Sequence, residues 1–145
     1  MASALDTRTA AFPASLVAAR PAYQAYAILL FGFTVLPIVA GIDKFFHVLV
    51  DWDMYLAPLA KRILPISGHT FMLVVGVIEI VAGLIVLFRP RIGAYIVMLW
   101  LWGIIINLLV IPGFYDIALR DFGLSLGALA LARLSRDFDF RPLGV

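Results

Sequence analysis

The sequence predicts an all-α integral membrane protein: an antiparallel bundle of four transmembrane helices, with an amphipathic interfacial helix between helices 1 and 2. Three observations predict it. Of 145 residues, 64% are hydrophobic and only 14% are charged, with a mean hydropathy of +1.07. An ordinary soluble domain is about 25% charged, and a chain this short has too little interior to hide the excess. The apolar residues gather into four runs, each close to the roughly 20 residues that cross a bilayer core. Charged residues, proline and glycine punctuate the runs. Helix is required because an open strand would leave backbone groups unpaired in lipid.

The first run is Tyr23 to Ile42, with Pro37 inside it, where a proline removes one backbone bond. The second is Thr70 to Phe88, closed by Arg89–Pro90–Arg91. The third is Ile92 to Ile111, stopped by Pro112 and Gly113, and the fourth is Ile117 to Leu134. Three spans follow one another through short connections, which favours antiparallel neighbours. The domain reading is a cytoplasmic tail over 1–22, a transmembrane domain over 23–135 and a second cytoplasmic tail over 136–145. The first 22 residues lack a compact apolar core behind a basic start and make a poor signal peptide.

The long connection carries its own pattern. Phe45, Leu49, Trp52, Leu56, Leu59 and Ile63 recur at alternating spacings of four and three, an amphipathic helical stripe. The expected element is an interfacial helix from Phe45 to Ala57, broken at Pro58, with Trp52 and Tyr55 at the headgroup level.

Lysine and arginine placement sets the orientation. The side of both termini and the 88–92 turn holds Arg8, Arg20, Arg89, Arg91, Arg133, Arg136 and Arg141, against Lys44, Lys61, Arg62 and Arg120 on the other side. The expectation is a multi-pass protein of the cell inner membrane with both termini cytoplasmic.

Function is sought in the polar residues at membrane depth. Glu79 stands in the middle of GVIEIVAGLIVLF, where a charge at a helix centre costs roughly 2.5–3.5 kcal/mol on insertion scales. Gly76, Glu79 and Gly83 lie at i, i+3 and i+7 and share one face, with small residues that admit a second helix. Arg120 is the expected partner for Glu79, since Gly123 and Gly127 follow on its face in a GxxxG spacing. Asp121 points about 100° away, toward a second partner such as Lys44. Asn107 also lies at membrane depth and needs a hydrogen-bond partner. Asp43 and Lys44 complete the polar set at the end of the first span. Two roles stay open for Glu79: a polar clamp fixing helix order, or a carboxylate that carries a proton or lines a pocket.

At these residues the chain resembles the DoxX-like membrane proteins. The resemblance rests on AGIDKFF, GVIEIVAGLIVLFRPRIGAY and RDFGLSLGALALARL, in that order, and covers about Pro37 to Ser135. It implies a small four-helix membrane partner of a redox system. It implies no catalytic residue, and carries Glu79, Arg120 and Asp121 over as the polar core.

No cysteine is present, which excludes disulfides, thiolate metal sites and cysteine nucleophiles. No basic patch marks a nucleic-acid partner, and no glycine loop cradles a phosphate. His47 and His69 are read as interfacial residues, with His47 near Asp51 at i+4, and haem ligation is not expected from their spacing. Asp43, Asp51 and Asp53 read as a solvated acidic edge, with no metal expected. The aromatic third span, with Trp100 and Trp102 near its middle, offers packing or contacts to quinone, lipid or pigment. The expected function is a non-catalytic accessory subunit of a membrane electron-transfer complex, respiratory or photosynthetic, with lipids and other subunits as partners. The alternative is an independent protein that binds quinone or conducts protons or small solutes around Glu79.

Overall fold

A computed structural model describes residues 20–138, and every regular element among them is helical. The elements are α1 (Pro21–Phe46), a 3-10 turn (Trp52–Tyr55), α2 (Pro58–Ile63), α3 (Gly68–Phe88), α4 (Pro90–Leu109) and α5 (Tyr115–Leu134). The terminal segments 1–19 and 139–145 lie outside the described residues, and with them Arg8 and Arg141 of the charge comparison.

Helices α1, α3 and α4 are each long and apolar enough to cross a membrane. Helix α5 has the same length as α4 but carries Asp116, Arg120, Asp121 and Arg133, and is not among the candidate spans. At 1.5 Å per residue, the long helices run about 30–39 Å.

Local chemistry explains the helix ends. Proline opens α1, α2 and α4, at a position whose N–H would have no helical acceptor anyway. Pro58 thus begins a helix; it does not break one. Ser67 caps α3, its side chain accepting from the Thr70 amide at 3.1 Å. Between α3 and α4 stands one residue, Arg89, which serves as the C-cap of one and the N-cap of the other. So abrupt a reversal requires Gly93, because a Cβ there would collide with the Val86 backbone.

The first helix runs through Pro37 and four residues beyond the expected end at Ile42. It stops because His47 adopts a left-handed conformation (φ 53°) and the Asp43 carboxylate captures the next free amides. Val48 N–H donates to Oδ1 at 3.0 Å and Leu49 N–H to Oδ2 at 3.1 Å. The Trp52 indole N–H donates to the same carboxylate at 2.8 Å. These bonds fold the connection back over the bundle, and the expected interfacial helix Phe45–Ala57 does not form. Its apolar stripe is divided: Leu56 is buried, while Leu49, Leu59 and Ile63 are exposed.

Helix α1 packs mainly on α3, α5 mainly on α4, and α3 joins the two pairs through α4. One apolar cluster, around Tyr26, Val86, Ala128 and Leu131, fills the end of the bundle where α1 begins and α5 ends. A second joins Ala57 of the connection to Ile105, Leu108 and Ala118, and a third joins Leu56 to Met72 and Val75. The folded connection therefore closes the opposite end.

Candidate functional site

Two helix faces meet at one polar centre. Along α1, Thr34, Gly41 and Lys44 recur at helical spacing and are all buried. Along α3, Gly76, Glu79 and Gly83 do the same. The two faces meet. A Cβ on Gly76 would lie 2.7 Å from the Gly41 carbonyl oxygen, and one on Gly83 would lie 2.8 Å from the Thr34 carbonyl oxygen. Only glycine permits this approach, so Gly76 and Gly83 act as packing residues, as their spacing predicts.

Glu79 is buried in this seam, and its partner is Lys44, not Arg120. Lys44 Nζ donates to Glu79 Oε2 at 2.6 Å, with the lysine side chain only 3% exposed. The same ammonium sits 3.7 Å from the centroid of the Trp52 ring, a cation–π contact. A lysine in an apolar interior needs both a counter-ion and further polar company, and the site provides both. Trp52 is fixed in turn by Asp43, so adjacent residues of α1 hold the two sides of one tryptophan. The sequence signal for Lys44 was its place one turn beyond Gly41 on the same face; ending the first span at Ile42 hid it.

Arg120 turns outward. Its side chain is 66% exposed and bonds its own neighbour, Asp121, at 3.2 Å. Asp121 is buried and does not reach Lys44, which Glu79 occupies. The reason is which face of α5 packs. Ala118, Asp121, Ser125, Ala128 and Ala132 form its buried stripe, and Arg120 stands beside that stripe. The glycines divide: Gly127 meets the Phe33 ring (3.2 Å from an added Cβ), whereas Gly123 has nothing within 4 Å and is not a packing residue.

Asn107 finds its partners in the folded connection. Its Oδ1 accepts from the Ala57 amide at 3.0 Å, and its Nδ2 donates to the Tyr55 carbonyl at 2.6 Å. Tyr55 packs edge-on against Phe114 at 5.1 Å. Trp52 and Tyr55 therefore belong to a cap seated on the bundle end, held by Asp43 from one side and Asn107 from the other.

Beneath this cap lies a cavity of about 470 Å³, bounded by all four long helices. Its wall is apolar over most of its area, with Lys44, Glu79, Asn107 and Asp121 placed along it and the largely exposed Arg120 at its edge. Trp100 also lines it. The Trp100 indole N–H lies beside the Glu79 carboxylate yet makes no well-formed hydrogen bond. Trp102 instead packs edge-on against Phe122 and is partly exposed. The site thus offers an ammonium, a guanidinium, an indole donor, two carboxylates and a primary amide around an apolar volume. That set can receive a flat apolar molecule bearing hydrogen-bond acceptors.

At the capped end, His47 stacks on His69 and does not pair with Asp51 (ring centroids 5.4 Å apart); the Asp51 carboxylate accepts the Asp53 amide. Compared with known proteins, the chain matches no family model, no curated protein and no solved structure.

Proposed function

We propose that this chain is a small multi-pass membrane protein that binds a quinone-class molecule, a flat ring with two carbonyl oxygens, in the cavity beside the Lys44–Glu79 pair. The cavity itself carries the reading: about 470 Å³ of mostly apolar space, within the usual 300–1,000 Å³ of ligand pockets, with a few convergent polar groups. Lys44 and Trp100 supply donors for a ring carbonyl. Glu79 supplies a proton acceptor at the same place. Burying polar groups around an apolar volume costs free energy, and a ligand that satisfies the Trp100 N–H recovers part of it.

In this reading α5 is the fourth span, with Arg120 one turn from the surface and both termini cytoplasmic. Arg20, Arg89, Arg91, Arg133 and Arg136 at one end of the helices, against Lys61, Arg62 and Arg120 at the other, support that orientation. A single cysteine introduced at Ser67 should react with an impermeant reagent from outside; labelling from the cytoplasm alone overturns it.

The binding test is titration of the purified protein with a short-tailed quinone, read by quenching of tryptophan fluorescence. Saturable binding is expected, weakened at least tenfold by Glu79→Gln with the unfolding transition retained. No saturable quenching, or equal affinity in Glu79→Gln, overturns the reading.

The accessory-subunit reading draws on the DoxX-like resemblance and on the large apolar side chains exposed along the helices, among them Phe31, Leu99 and Leu119. Its test is purification from native membranes in mild detergent. A stoichiometric redox- or pigment-bearing partner supports it; a lone, colourless protein removes it.

A further inference from the structure

We propose that His47, Asp53 and His69 form a binding site for a divalent transition-metal ion of the zinc or cobalt type. The three residues come from separate places: His47 from the C-cap of α1, Asp53 from the 3-10 turn of the cap, His69 from the first turn of α3. The fold brings one donor atom of each within 4.8 Å of the others. His69 Nδ1 is already 3.1 Å from Asp53 Oδ2, and the two imidazoles lie nearly parallel, 22° between planes.

Three features point to a metal and away from a chance cluster. Two neutral imidazoles and one carboxylate are the donor set that first-row divalent ions favour, while calcium and magnesium favour oxygen alone. The second oxygen of Asp53, Oδ1, is shielded from solvent and has no hydrogen-bond partner among the described residues. An acceptor left so is costly unless a cation shares its carboxylate. The left-handed C-cap that ends α1 leaves the His47 ring stacked against the His69 ring, so both imidazoles stand at one place.

The distances are compatible. Metal–nitrogen bonds of about 2.0–2.1 Å place donors roughly 3.4 Å apart in a tetrahedral shell, so donor movements of up to about 1.4 Å, with a turn of the stacked imidazoles that brings both ring planes onto the ion, close the site. His47 and Asp53 are half-buried and His69 is exposed. Ions can therefore enter, and a coordination position stays open to water. A bound ion would fasten the Trp52–Tyr55 turn to the ends of α1 and α3. This inference is independent of what the cavity binds.

The chain's composition makes the test clean, because these are its only two histidines and it has no cysteine. The full chain, carrying a histidine-free affinity tag and stripped with a chelator, would be titrated with Co²⁺ and Zn²⁺ alone. One ion per chain is expected, with a visible Co²⁺ absorption band. Affinity should fall at least tenfold in His47→Ala, His69→Ala and Asp53→Asn, and hold in Asp51→Asn, a carboxylate two residues away outside the cluster. Where a variant fails to fold, the histidine ring resonances of the wild type decide: Zn²⁺ should shift both sets together. No saturable binding, binding indifferent to all three substitutions, or a shift confined to one histidine overturns the proposal.

Discussion

The α1–α3 seam and the α4–α5 seam bury one acid each and treat it oppositely. In the first, glycines at 41, 76 and 83 bring two backbones together, and Glu79 is paired across the seam by a lysine as buried as itself. In the second, alanines and a serine line the contact, and Asp121 is paired within its own helix by an arginine that stays outside. Removing Glu79 therefore strands a charge. Removing Asp121 strands nothing, because Arg120 is already exposed. Two buried acids in helices of the same bundle thus differ in consequence, through the burial of their partners.

The largest expected effect follows from this contrast. Glu79→Leu should destabilise the protein by about 3–5 kcal/mol, the cost of an uncompensated buried charge. Adding Lys44→Met should recover most of it. Asp121→Leu should cost about 1 kcal/mol or less, as for an exposed pair. Denaturant unfolding in mixed micelles measures all three, and equal losses for the two acids would erase the distinction.

Next in size are the glycines. Gly41→Ala and Gly76→Ala force a Cβ against the carbonyl of the facing helix and should each cost about 1–3 kcal/mol. The cap should respond more locally. Asn107→Leu leaves the Ala57 amide and the Tyr55 carbonyl without their partner, and should cost about 1–3 kcal/mol. Hydrogen exchange should rise at residues 52–57 and stay unchanged along α3. The smallest effect sharpens the contrast from the other side: Gly123→Ala meets open space in a helix interior, and should stabilise by about 0.5–1 kcal/mol. A loss there of the size seen at Gly76 would mean that α5 packs through its GxxxG face after all.

Much of the architecture was legible because it follows from local chemistry. Apolar runs long enough for a bilayer forecast the long helices, and prolines and charges marked their boundaries within a few residues. The i, i+3, i+7 spacing of Gly76, Glu79 and Gly83 placed the acid on a close-packed face. Asn107, a primary amide among apolar neighbours, had to find a partner, and it did. The interfacial helix was misread because periodicity over residues 45–63 carries no information about Asp43. That carboxylate competes for the amides that would have continued the helix, and it wins with two backbone bonds and an indole.

The sequence by itself determined that the chain is helical and built for a membrane, and that the Gly76–Glu79–Gly83 face of α3 is buried. Only the tertiary structure decided which faces meet. Periodicity fixes a direction around one helix axis and leaves the neighbour unspecified, so Arg120 and Lys44 were both admissible partners for Glu79. Packing chose Lys44, because glycines on α1 and α3 match at the same level and let a lysine stem lie within the seam. Tertiary contacts of Asp43 and Asn107 likewise folded the cap over the cavity, and set His47, Asp53 and His69 together from three places that no spacing connects.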